Sequence, residues 1–160
     1  MVQADAVSVS EAWVVRAAAR ADLHAWAQLR QALWPNADPS VHADDIEGML
    51  ARGERFAAFV AVDEGGGLFG FAEASLRTDY VNGTDSSPVA FLEGWYVRPQ
   101  RRHRGVGRAL IDAVAVWARE RGCSELASDA LLDNPRAHRA HERCGFEETE
   151  RVVYFRRTLV

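Results

Sequence analysis

The sequence predicts a single α/β domain built on one sheet of mixed direction. Three observations predict it. The chain has 160 residues, the usual length of one domain. Short apolar runs bounded by turn residues alternate with stretches of helical periodicity. No repeat, low-complexity linker or shift in composition divides the chain, so residues 1–160 read as one domain, with 1–11 a loose leader of small and polar residues.

Trp13 to Ala17 is a short apolar stretch and reads as the first strand. Asp22 is placed to cap a helix whose apolar residues fall at Leu23, Trp26, Ala27, Leu29, Ala32 and Leu33. Pro35 disfavours helical geometry at Trp34 and ends that helix. Asp38-Pro39-Ser40 opens a second helical stretch that reaches Arg52-Gly53. Phe56 to Val62, the glycine-rich turn from Asp63 to Gly67, and Leu68 to Arg77 carry a hairpin signature. Asp79 to Pro88 is a polar loop, and Val89 to Val97 is a third long strand. Leu110, Ala113, Val114 and Trp117 then recur at helical spacing, with Gly122 as the stop. Glu125 to Ser128 is a short strand. Asn134-Pro135 supplies an N-cap and a first-turn proline for a helix ending at Cys144-Gly145. Phe146 to Leu159 is expected to add one or two final strands, giving the order β-α-α-β-β-β-α-β-α-β.

Composition narrows the function. Apolar residues make up 48% and charged residues 26%, which disfavours disorder, collagen and coiled coil. No apolar run is long enough to span a bilayer, and Met1 to Ser10 does not read as a signal peptide. No membrane partner is therefore expected, and the location expected is cytoplasmic. The formal net charge of −4 disfavours a nucleic-acid binder and weakly favours a cationic small molecule. Cys123 and Cys144 are too few for a disulfide scaffold and read as two reduced thiols. All 19 basic residues are arginine, so Schiff-base and P-loop lysine chemistry are excluded. No metal is expected.

The informative motif is Arg102-His103-Arg104-Gly105-Val106-Gly107, between the strand Val89 to Val97 and a helix. Glycines let the backbone turn tightly, so several N–H groups point at one spot. The helix that follows adds unpaired N–H donors and the positive end of its dipole. Arg102, Arg104 and Arg108 add charge. Such a turn suits a phosphate, best a pyrophosphate. It is also a common plain turn, and the arginines alone would suit a solvated face or a nucleic-acid patch. A Walker A loop is excluded, because Gly-Lys-Ser/Thr does not occur. A dinucleotide fingerprint would need a third glycine and an early position in the chain.

A turn of this kind two-thirds along the chain, after three strands, resembles the GNAT superfamily of acyl-coenzyme A (acyl-CoA) N-acyltransferases and their Arg/Gln-x-x-Gly-x-Gly/Ala loop. Asn134-x-x-Ala137 and Gly145-Phe146 extend the resemblance over nearly the whole chain. It implies the GNAT fold, a mixed parallel and antiparallel sheet flanked by helices, with acetyl-CoA as cosubstrate. It implies that Trp95, Tyr96 and Val97 pair with the pantetheine arm, that Arg102, His103, Arg104, Gly105, Val106, Gly107 and Arg108 hold the pyrophosphate, and that Asn134 lies beside the arm. His141 stands where the family commonly has a tyrosine that protonates the leaving thiolate, and an imidazole is a side chain that can carry a proton in that role. A plain packing role for His141 fits equally.

Five further segments are similar in order to aminoglycoside 6′-N-acetyltransferases: Leu33-Trp34-Pro35, Asp79 to Pro88, Phe91-Leu92-Glu93-Gly94, Ala127-Ser128-Asp129 and Gly145 to Arg151. The resemblance implies acetyl transfer to the 6′-amine of an aminoglycoside antibiotic, hence resistance, and a homodimer formed through the C-terminal strands. It places Trp34, Tyr80, Glu93, Asp129 and Glu150 against the antibiotic, the last being commonly Asp in that group. A polycation with many hydroxyls needs carboxylates for its ammonium groups and flat rings for its sugar faces. Taken singly, Trp34 fits a core filler, Glu93 a solvent-side strand residue and Asp129 a loop cap.

The chemistry expected is direct attack in a ternary complex, without an acyl-enzyme. An alkylammonium must first lose a proton. Glu93 is the first candidate base and Asp129 the second, each through ordered water. Backbone N–H groups near Tyr96 and Val97 are expected to stabilise the oxyanion. Solvent, His141 or the ammonium intermediate returns the proton to the thiolate. The rival readings are a GNAT enzyme for a polyamine or protein N-terminus, a non-catalytic acyl-CoA-binding regulatory domain, and RNA binding through Arg101–Arg108. Net negative charge argues against the last.

Overall fold

The computed structural model describes residues 12–159. The expected leader, 1–11, lies outside the described residues. Five strands form one sheet in the order β1-β2-β3-β4-β5. They are β1 (Trp13–Ala17), β2 (Phe56–Asp63), β3 (Leu68–Arg77), β4 (Val89–Val97) and β5 (Leu126–Ser128). The first three pairings are antiparallel, although only β2 and β3 are joined by a tight turn and β1 reaches β2 through two helices, and β4 pairs with β5 in parallel across a helical crossover. Four helices cover the sheet: α1 (Leu23–Leu33), α2 (Pro39–Ala51), α3 (Val106–Glu120) and α4 (Pro135–Arg143).

Strand alternation sends side chains to two cores. On one face Trp26 and Leu29 of α1 and Ile46 of α2 bury Val60 and Phe71. On the other, Leu110, Val114 and Trp117 of α3 cover Ala72, Ala74 and Leu92. Leu110 is fully buried, and cutting it to alanine costs about 2–5 kcal/mol by loss of transfer energy and a cavity.

Local signals set most element ends. Asp38 accepts from Ser40 N at 2.9 Å, with Pro39 at the first helical position of α2. Asn134 accepts from Ala137 N at 3.1 Å and caps α4. Gly122 (φ +78°) and Gly145 (φ +90°) take the left-handed conformation that stops α3 and α4.

Two expectations are corrected. Asp22 does not cap α1 through its side chain. Its carboxylate instead takes both Arg16 nitrogens, at 2.7 and 2.8 Å, and Ala19 N at 2.8 Å. A charged fork from β1 outcompetes a neutral helix N–H for the same oxygens. Residues 146–159 form no strand; from Glu147 onward they are exposed. Their apolar pattern suits a strand, but they pair with no strand of this sheet among the described residues, and the β5 edge stays open.

Candidate active site

The sheet forks. The parallel ladder of β4 with β5 joins only Ala90, Phe91 and Leu92 to Leu126, Ala127 and Ser128. Beyond that last pair the strands part, and the next residues are Glu93 and Asp129. β4 stays paired with β3 as far as Val97, but a bulge opposite Glu73 and Ala74 throws Glu93 out of register.

Hydrogen bonding along the fork follows from the ladder. Arg98 N donates to Phe69 O at 2.8 Å, so by antiparallel alternation Tyr96 also bonds to β3, and the N–H groups of Trp95 and Val97 face the open side. Val97 O confirms that direction by accepting from Arg102 Nε at 2.8 Å. A β4 edge with outward N–H and C=O groups suits an extended amide-bearing chain.

At the end of that edge lies the glycine-rich turn. His103 (φ +62°) and Gly105 (φ +80°) adopt left-handed conformations and hand the chain to α3, whose first N–H groups have no intrahelical acceptor. A Cβ at Gly107 would come within 3.0 Å of Trp95 Cζ2, so the helix start sits directly on the Trp95 ring. Trp95 Nε1 is buried there with no acceptor among the described residues. This turn, helix terminus and orphaned donor fit a diphosphate-bearing ligand laid along β4. Arg102 and Arg108 are not wholly given to charge: Arg102 bonds Val97 O, and Arg108 Nη2 bonds the carbonyl of Arg143 at the end of α4. Both brace the cradle.

Glu93 is held. Ser75 Oγ donates to its Oε1 at 2.5 Å and Arg77 Nη2 to the same oxygen at 2.8 Å. Arg77 itself lies 3.6 Å from the Phe91 ring centroid. Both donors converge on one oxygen, which fixes the carboxylate and directs Oε2 elsewhere. The groove beside Glu93 is lined by Arg52, Arg55, Phe56, Ser75, Leu76 and Arg77 and is basic on that side. A polycation is repelled from that side.

Trp34 follows α1, and its ring fills the space over Gly94: a Cβ there would meet Trp34 Cη2 at 2.6 Å. Tyr80 is 77% exposed on the loop between β3 and β4. Glu125 anchors that loop by accepting from Asp85 N at 3.0 Å and from Ser86 Oγ, and the Ser86 bond holds its carboxyl below the ordinary range. A Cβ at Gly83 would overlap Thr149 Oγ1, so the start of the tail lies against the same loop and brings Glu150 beside it. Asp129 and Glu150 form no ion pair among the described residues. Glu93 and Asp129 thus follow the last β4–β5 pair directly, and Trp34 covers Gly94, next to Glu93. Tyr80 lies on the β3–β4 loop, and Glu150 follows Thr149, which packs against Gly83 of that loop.

His141 on α4 has both ring nitrogens engaged. Nδ1 lies 2.7 Å from Ala137 O, which can only accept, so Nδ1 carries the proton. Nε2, 2.8 Å from Ser128 Oγ, then accepts from that hydroxyl. The ring packs edge-on to Trp95, at 5.5 Å between centroids. Burial pushes both thiols, Cys123 and Cys144, upward and away from nucleophilic use. Among the described residues no group of His, Cys, Asp and Glu could hold a metal ion, and no helix is long and apolar enough to cross a membrane. Sequence reasoning missed Ser75, Arg77 and Ser128. The one signal was their register with β4, which only the folded sheet reveals.

A mixed sheet forked beside a glycine-turned helix start defines an acyl-CoA N-acyltransferase. The chain belongs to the acetyltransferase (GNAT) family, whose model matches residues 23–146. It is similar to the aminoglycoside N(6')-acetyltransferase type 1 of Stenotrophomonas maltophilia, 55% identical over 94% of this chain and 97% of that protein. The enzyme of the same name from Salmonella typhimurium is 46% identical over 89% of this chain and 97% of its own length. Among solved structures, AAC(6')-Iy in complex with the bisubstrate analogue CoA-S-monomethyl-acetylneamine superimposes with a TM-score of 0.88 at 43% identity, covering 92% of this chain and 99% of that one.

Proposed function

We propose that this chain transfers the acetyl group of acetyl-CoA to the 6′-amine of aminoglycosides, by direct attack in a ternary complex. The observation that carries the reading is the fork, where Glu93 and Asp129 follow the last β4–β5 pair beside the ring of Trp34. The names of the relatives and the bisubstrate ligand of the structural neighbour support it. When bound, acetyl-CoA supplies a thioester carbonyl open to attack and a thiolate that leaves.

The chain's own residues do the rest. The turn from Arg102 to Arg108 and the start of α3 hold negative charge. The Trp95 and Val97 N–H groups offer donors along β4, so Val97 N–H, with Trp95 in place of Tyr96, serves the oxyanion. Asn134 uses its Oδ1 on the α4 cap, which leaves its NH2 group as the donor for the pantetheine arm. Glu93 Oε2 takes a proton from the ammonium, directly or through water, while Ser75 and Arg77 keep Oε1 fixed. Asp129, Trp34, Tyr80 and Glu150 bind charge and sugar faces. Once His141 Nε2 has taken a proton from solvent, the imidazolium donates that proton to Ser128 Oγ as the hydroxyl gives its own to the leaving thiolate.

Thiol release from acetyl-CoA across kanamycin, tobramycin, spermidine and a peptide tests the function. Release with the two drugs, and none with relatives bearing a hydroxyl in place of the 6′-amine, is expected. Release with spermidine or the peptide alone would overturn it. The proposal includes a cytoplasmic location, where acetyl-CoA is made, and a homodimer assembled through the apolar tail.

A further inference from the structure

Beneath Trp34 lies a cluster of buried charges that acetyl transfer does not use. Arg30 of α1 is 7% exposed, His42 of α2 2% and Glu73 of β3 2%. Arg30 Nη1 donates to Glu73 Oε2 at 2.7 Å, and Nη2 to Asp45 Oδ2 at 2.7 Å. Its Nε makes a longer, 3.4 Å contact with His42 Nδ1. Trp26 Nε1 donates to the other Glu73 oxygen at 2.7 Å. One guanidinium therefore ties α1, α2 and β3.

The same guanidinium carries Trp34. Its Cζ lies 4.9 Å from the centroid of the Trp34 ring. His42 stacks on that ring at 6.4 Å with an interplanar angle of 24°, and Phe71 leans on it at 6.2 Å. Trp34 N also donates to Arg30 O at 2.8 Å. The far edge of the ring abuts Gly94, next to Glu93.

Fold stability alone does not call for such a cluster, because well-packed apolar groups often replace a buried ion pair without loss. A planar fork does what apolar groups cannot: it sets angles between the elements it joins. We propose that Arg30 is a positioning residue of the acceptor site, which fixes the plane of Trp34 beside Glu93 by its bonds to Glu73, Asp45 and His42. The inference rests on the reading of Trp34 as the wall that meets the aminoglycoside. A ring fixed in advance meets a sugar face with no ordering cost at binding, so losing the fork weakens acceptor binding more than turnover.

Arg30→Lys tests it, because it keeps a charge for Glu73 but removes the fork. It is expected to fold, raise the aminoglycoside KM about tenfold and leave kcat and the acetyl-CoA KM within about twofold. The pair Arg30→Met with Glu73→Leu removes both charges, so neither stays buried alone, and is expected to raise KM alike. In a Trp34→Ala background Arg30→Lys should add nothing further. A fluorine spectrum of 5-fluorotryptophan-labelled protein reads the ring without any reaction. The Trp34 line, assigned by its loss in Trp34→Phe, is expected to shift or broaden in Arg30→Lys while the Trp117 line stays. Unchanged KM in both variants, an equal KM rise in the Trp34→Ala background, or an unmoved Trp34 line would overturn the proposal. Should the parent protein acetylate no aminoglycoside, the functional reading falls and the fluorine line alone decides the role of Arg30.

Discussion

At the scale of single residues, the decisive group is Glu93. Its Oε1 accepts from Ser75 and Arg77, and a glutamine can accept the same two bonds. Glu93→Gln therefore keeps both bonds while removing the proton acceptor, together with the charge that faces Arg77. Steady-state kinetics should show kcat lower by about 10²-fold, in the range of one general base, with acetyl-CoA binding unchanged. Unaltered turnover would refute the base. Glu93 and His141 were named in the sequence by resemblance to a family. Their partners were not. Arg77 reaches Glu93 across a strand boundary, Ser75 lies opposite Phe91, and Ser128 meets His141 from β5. Sheet register creates those pairs, and no local spacing encodes register.

At the scale of elements, ends marked by glycine, proline or a capping Asn were legible, because such signals act within a few residues. The turn before α3 is one. A side chain at Gly105 would meet no atom within 4 Å, so Gly105→Ala pays only for φ +80°, about 1 kcal/mol. Urea unfolding should show that loss, together with a higher KM for acetyl-CoA. A loss of zero would mean that the turn is not strained by a side chain. Asp22 is the contrary case, since Arg16 of β1 claims it. The Arg16 hydrogen bonds hold its folded pKa below the ordinary 3.8. A depressed carboxylate stabilises fully above the unfolded value, and that stability is lost as pH falls through the folded one. Asp22→Asn should thus cost about 1–2 kcal/mol at neutral pH. The gap from the parent protein should narrow in acid, below about pH 4. Urea curves at both pH values check this, and an equal gap at both would exclude the Arg16 pair as the cause.

At the scale of the whole molecule, the order of elements through α4 was legible and the tail was not. Val152, Val153 and Phe155 have a strand-like pattern, yet Phe155 is 94% exposed and Leu159 86%. Contiguous apolar side chains of this kind mark an interaction surface. β5, three residues long, pairs only with β4 and ends the sheet with an open edge. A strand pattern states that a segment wants an edge; it does not state whose. A second copy offers both the edge and an identical tail, and a two-fold pairing would cover both at once. It would also hold Glu150 and Thr149 against the Tyr80 loop, coupling assembly to the acceptor site. Sedimentation equilibrium should therefore give a dimer at micromolar concentration. Val153→Asp with Phe155→Asp, which puts charge into the apolar face of the tail, should give a folded monomer with a raised aminoglycoside KM. A parent protein that sediments as a monomer would end the assembly proposal, and a monomeric variant with unaltered KM would cut its link to the site.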